Sequence, residues 1–104
     1  MVREALDAHV ALSMKYPPTN YEVIRVYDDE HAHYLVQKLG WTESDRIQQI
    51  MLQVALRDGK IWIEDDWTEE GGATYFLEKG VPNDDIVLGF QPPIMRLYTE
   101  FAVV

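Results

Sequence analysis

The chain has no cysteine. That excludes a disulfide framework and every thiolate metal site, so its fold must rest on a packed apolar core. It also lacks a long apolar run: no stretch approaches the roughly 20 residues needed to span a bilayer. Residues 1–15 carry Arg3, Glu4, Asp7 and Lys15 and do not read as a secretory signal. Basic residues are few. Nine Lys and Arg face eighteen Asp and Glu, for a formal net charge of -9, and no two basic residues are adjacent. Nucleic-acid binding rests on cations displacing counterions from phosphates, so this balance disfavours direct DNA contact. It suits solubility and docking onto another protein. A cytoplasmic protein with no membrane contact and no cofactor is expected.

With 104 residues, 47% of them hydrophobic, the chain can bury one core and has no room for two. We read it as a single domain over residues 1–104 of α+β class. The expected parts are an N-terminal helix, an antiparallel sheet built from hairpins, and one or two short helices on the sheet. Val2, Leu6, Val10 and Met14 recur every four residues, which places a helix over 2–14 with one apolar stripe. Pro17-Pro18 stops it.

Residues 22–27, rich in Val, Ile and Tyr, form a first predicted strand, and 33–39 a second, across the polar loop Asp28-Asp29-Glu30-His31. Gly40 is expected to end the second strand. Asp58-Gly59 marks a two-residue type I′ hairpin, because both positions of that turn need positive φ. This turn pairs Leu56 with Ile61, Val54 with Ile63 and Ala55 with Trp62. It puts the four aliphatics of the first two pairs on one face and Trp62 on the other, beside Gln53 and Glu64.

Thr68 is expected to cap the next helix, with Glu69 and Glu70 in its first turn and Ala73, Phe76 and Leu77 on its apolar side. Gly71-Gly72 makes an awkward start, each costing about 1 kcal/mol against alanine if helical. Gly80 and Pro82 end that helix. A short turn over 82–85 leads into the apolar run 86–90, and Gln91-Pro92-Pro93 breaks the chain again. Residues 99–104 read as an extended apolar segment tied into the sheet or a subunit contact.

Candidate chemistry is sparse. His31 and His33 sit two apart beside Asp28, Asp29 and Glu30 and offer a weak metal site. Glu64, Asp65 and Asp66, near Glu69 and Glu70, could hold Mg²⁺ for phosphodiester chemistry together with those histidines. Against that reading, contiguous acids at a hairpin end are ordinarily solvated. Ser13 and Ser44 lack a nucleophile elbow, Gly71-Gly72 lacks the strand and lysine of a phosphate loop, and His9 stands alone on the helix. The aromatic set Trp41, Trp62, Trp67, Tyr98 and Phe101 is more informative, since tryptophan and tyrosine concentrate at interfaces. A two-layer fold leaves Trp62 either covered by its own chain or facing another subunit. Trp62, Tyr98, Phe101 and Val103 are the candidate partner-contact residues.

Three blocks carry a resemblance: Asp58-Gly59-Lys60-Ile61-Trp62-Ile63 with Thr68-Glu69, then Gly80-Val81-Pro82-Asn83-Asp84-Asp85-Ile86-Val87-Leu88-Gly89-Phe90, then Pro93, Arg96 and Thr99-Glu100-Phe101-Ala102-Val103. Lys15-Tyr16, His33-Tyr34 and Gly40-Trp41 also fit. From Lys15 onward the chain resembles the family of the fdxN-element excision controlling factor, the XisI-like proteins of cyanobacteria. The resemblance implies a regulatory part in excising a DNA element during heterocyst differentiation. In that scheme a separate recombinase exchanges strands, and a nuclease-like companion excision factor is the expected partner. A homo-oligomer is expected as well. The rival expectation is the metal-dependent phosphodiesterase built on the acidic 64–70 loop.

Overall fold

A computed structural model of the chain describes residues 2–13, 15, 20–68 and 71–104. Its elements run α1 (Val2–Ser13), β1 (Tyr21–Asp28), β2 (His33–Trp41), β3 (Arg46–Arg57), β4 (Lys60–Asp66), α2 (Gly72–Glu78), a 3-10 turn (Asn83–Asp85), β5 (Ile86–Leu88) and α3 (Pro93–Arg96). The five strands form one sheet in chain order, and the fold is α+β. Neighbours are antiparallel except β4 and β5, which run parallel because the α2 crossover returns the chain to its starting end.

The apolar stripe of α1 is the one its spacing predicts. Val2, Ala5 and Leu6 are buried and Val10 packs against them, while Met14, Pro17 and Pro18 lie outside the described residues. Opposite the stripe stand Tyr34, Val36, Leu52, Val54, Ile61, Ile63 and Ile86 from four strands, closed at one side by Phe76 of α2. Alternation along each strand puts these residues on a single sheet face, which α1 and α2 cover. Arg25 and the Tyr27 hydroxyl both reach Asp7 of α1, at 3.1 and 2.7 Å.

The Asp58-Gly59 hairpin has the predicted register: Leu56 opposite Ile61, Ala55 opposite Trp62 and Val54 opposite Ile63. Both turn residues have positive φ, 54° and 74°. Beyond Val54 a bulge shifts the pairing, so that Gln53 faces Asp65 and Leu52 faces Asp66.

Two sequence expectations need correction, and one strand is longer than the hairpin alone required. Gly40 does not end β2, which continues to Trp41. Its glycine answers a close approach instead: a Cβ there would lie 2.1 Å from the Asn20 carbonyl oxygen, where Trp41 N–H donates at 3.0 Å. β3 begins at Arg46, twelve residues long and paired with β2 along its length through a bulge at Val36/Gln37. The turn before it is closed by Thr42, whose hydroxyl oxygen accepts from the Asp45 amide at 2.9 Å. Thr68 does not cap α2. The first helical amide, Gly72 N–H, donates to the Asp66 carboxylate at 2.6 Å, while Thr68 supports the preceding loop. Glu69 and Glu70 lie outside the described residues.

His9 is half-buried on α1, and burial outweighs the attraction of Asp66, so its pKa lies below the ordinary 6.5. The fold therefore favours neutral imidazole: its contribution is intact above about pH 6.5 and is lost as pH falls through the lowered value. Chemical denaturation from pH 7.5 to 5.5 should show wild type losing stability relative to His9→Gln. Parallel curves for the two proteins would contradict this assignment.

Candidate contact surface

The sheet face turned away from α1 and α2 carries a second, smaller cluster. Ala55, Trp62 and Val87 are buried there, with Ala102 packed against them. Trp62 is only 7% exposed. Its cover is its own chain: the Arg57 guanidinium carbon lies 3.6 Å from the ring centroid and that of Arg96 5.3 Å away. The indole N–H, Nε1, is buried and has no hydrogen-bond partner among the described residues.

Arg96 is the residue that fixes this arrangement, and it is 8% exposed. Nε donates to the carbonyls of Gln91 and Leu88 at 3.1 and 3.3 Å, Nη1 to that of Val103 and Nη2 to that of Gly89, both at 3.3 Å. A planar guanidinium can serve several carbonyls at once, which a lysine ammonium cannot do in the same geometry. The clamp ties α3 to the end of β5 and to the C-terminal residues. There Ala102 N–H donates to Ile86 O at 2.9 Å, forming an isolated bridge with Val87. The 99–104 segment is thus joined to the sheet edge, as its hydrophobicity suggested.

With the inner side pinned, the outer side of residues 90–104 is bare. Tyr98 is 80% exposed, Ile94 68% and Leu97 67%, and Phe90, Met95, Val103 and Val104 also reach solvent. Phe101 differs, turning inward against the main core. The other aromatics divide likewise: Trp41 and Trp67 are exposed, Trp41 with the Arg46 guanidinium 5.2 Å above its ring. Arg96 as the organiser of the segment was missed by sequence reasoning.

The metal-ligand expectations separate. Asp66 is committed to backbone and hydroxyl: Oδ1 accepts from Thr68 N and Oγ1 at 3.0 and 2.5 Å, and Oδ2 from Gly72 N. Asp65 stands opposite Gln53 on β4. His33 hydrogen-bonds the His31 carbonyl through Nδ1 at 3.0 Å, at the far end of the β1–β2 hairpin. Among the described residues the acids and histidines that converge are Asp28, Glu30 and His31, a set neither Asp65 nor Asp66 joins. Asp28 organises that turn, accepting from the amides of Glu30 and His31 and meeting the His31 ring at 2.6 Å. Those interactions, the His31 amide first, lower the Asp28 pKa below 3.8. Asp66→Ala should cost about 1–2 kcal/mol of stability by uncapping α2, measured by urea denaturation. An unchanged midpoint would contradict the capping role.

The family model for the XisI protein matches residues 1–103. The chain belongs to the XisI family. A XisI-like protein from Anabaena variabilis, solved by crystallography, is 32% identical, with a TM-score of 0.90 over 99% of this chain and 93% of that one. The structure of the fdxN element excision controlling factor XisI from the same organism is 35% identical. It has a TM-score of 0.86 over 99% of this chain and 92% of its own. A search of curated proteins found no match. XisI-family membership gives a regulatory setting, since the relative is named as a controlling factor. No helix among the described residues of this XisI-family chain is long and apolar enough to cross a membrane.

Proposed function

We propose that the chain is a non-enzymatic accessory protein, acting in the cytoplasm, that controls site-specific excision of a DNA element through protein contacts. The observation that carries this reading is the exposed apolar surface of residues 90–104, held by the Arg96 hydrogen bonds, on a body of net charge -9. Ordered apolar side chains on an exposed segment cost stability and solubility in isolation, and a binding partner accounts for them. The negative body supports the same reading from the other side, because DNA repels it. A nuclease-like companion excision factor is the partner class that the family resemblance implies.

The test is complementation. In a host lacking the native gene, excision of the element would be scored by the junction product after supplying wild type or Leu97→Asp/Tyr98→Asp. Excision restored by wild type alone supports the reading. Equal restoration by a folded double variant contradicts it.

A further inference from the structure

We infer that the partner of this surface includes a second copy of the same chain. In this symmetric dimer the 90–104 platform of each copy lies on the uncovered part of the other's sheet. The inference rests on the protein-contact reading above and names the occupant.

The first observation is area. The chain exposes 6818 Å². A folded monomer of 12.1 kDa is expected to expose about 6,000 Å². The surplus, about 800 Å², is what one partner buries in a standard stable interface.

The second is that one face of this chain carries both halves of an interface. The platform and its Arg96 clamp lie over the β4–β5 side of the sheet face opposite α1, where Ala55, Trp62 and Val87 are buried. Register continues that face across the remaining strands. Leu35 lies opposite both Val26 and Gln53, and Ile50 opposite Gln37, itself opposite Ile24. The sheet surface beside the platform therefore sets Ile24, Val26, Leu35 and Ile50, none of them fully buried, among Gln37, Gln53 and Asp65. A two-fold axis places platform on sheet and, by the same operation, sheet on platform.

The third is rigidity and charge. Arg96 holds the platform through four carbonyls, so little ordering remains to oppose docking. Within 90–104 the charged residues are the buried Arg96 and the exposed Glu100. The platform half therefore desolvates few charges on docking, while Glu22 and Asp65 lie at the ends of the sheet half and the two bodies repel at long range. Salt screens that repulsion and should tighten the dimer, whereas a basic partner would be bound more weakly in salt.

The absence of cysteine makes the test direct. Purified full-length protein at micromolar concentration would be examined by sedimentation equilibrium at low and at 0.5 M NaCl. The expected mass is twice 12.1 kDa, with the dimer dissociation constant falling in salt. Leu97→Asp/Tyr98→Asp should raise that constant at least tenfold, and so should Ile50→Asp on the opposite half. Because a charged substitution can unfold a small domain, a second arm introduces Tyr98→Cys and Ile50→Cys and treats the protein with a short bismaleimide. A covalent dimer should form, and should not form when Glu78→Cys on α2 replaces Ile50→Cys. A monomer at every salt concentration, or cross-linking independent of position, overturns the inference. A monomeric wild type whose platform variant still fails in excision removes the dimer alone. A dimer disrupted by the variant with excision intact removes the role of this surface in function.

Discussion

Gly40→Ala is expected to lower the unfolding free energy by about 3 kcal/mol, at the upper end of overpacking penalties. The cause is local and steric. The added methyl would sit 2.1 Å from the Asn20 carbonyl oxygen and 2.6 Å from the Tyr21 Cα, both backbone atoms that cannot rotate aside. To admit it, the Asn20 carbonyl must leave the Trp41 amide it accepts from, or the start of β1 must separate from the end of β2. The loss should therefore appear as early hydrogen exchange at residues 20–22 and 40–41 as well as in the global midpoint. A substitution within 0.5 kcal/mol of wild type would mean that the β1–β2 approach is looser than the structure has it.

Arg96→Met is expected to cost about as much, about 3 kcal/mol, by a different route. Methionine keeps part of the bulk over Trp62 but donates nothing, so the carbonyls of Leu88, Gly89, Gln91 and Val103 lose their shared donor. The C-terminal residues then remain joined by the Ala102–Ile86 bond, the Lys60 ammonium on the Val104 carbonyl and Phe101 against the core. Two readouts are expected together: a lowered urea midpoint, and proteolytic cleavage within 97–104 under conditions where wild type resists. Arg96→Lys should not rescue either, because a point ammonium cannot bridge carbonyls on separate segments. Full rescue by lysine would show that charge alone, without the planar fork, anchors the platform.

The parts of the fold that could be read in advance are those where two local signals agreed. At Asp58-Gly59 the turn chemistry and the alternation of Val54, Leu56, Ile61 and Ile63 gave one register, and the sheet has it. The four-residue spacing of Val2, Leu6 and Val10 likewise gave the buried side of α1. The reading failed where the cause was a contact distant in sequence. Gly40 looked like a strand end because glycine weakens strands, yet the approach of Asn20 decides it. The first third of β3, Arg46 to Gln49, carries too few apolar residues to signal a strand, and its partner is β2 rather than a core. The cap of α2 went to Asp66, six residues from the amide it accepts, outside the window of a capping box.

The surface was half legible. Tyr98 and Val103 were recognisable as apolar residues in a segment that had to be tied down, and both are exposed. Trp62 left two alternatives, and the structure covers it with Arg57, Arg96 and Ala102 of its own chain. Nothing in the spacing of Arg96 announced that one guanidinium would hold four carbonyls, because those carbonyls converge only after β5 and the 99–104 segment meet.

One comparison in the native setting bears most directly on the central claim. Excision of the element would be measured in cells whose sole copy of this protein is wild type, Leu97→Asp/Tyr98→Asp, or Asp28→Asn/His31→Gln. The last variant dismantles the one acid–histidine cluster among the described residues. An accessory protein acting through its platform predicts that excision control is lost in the first variant and retained in the second, with both proteins folded and present at equal level. Control retained in the platform variant and lost with Asp28 and His31 would contradict that account.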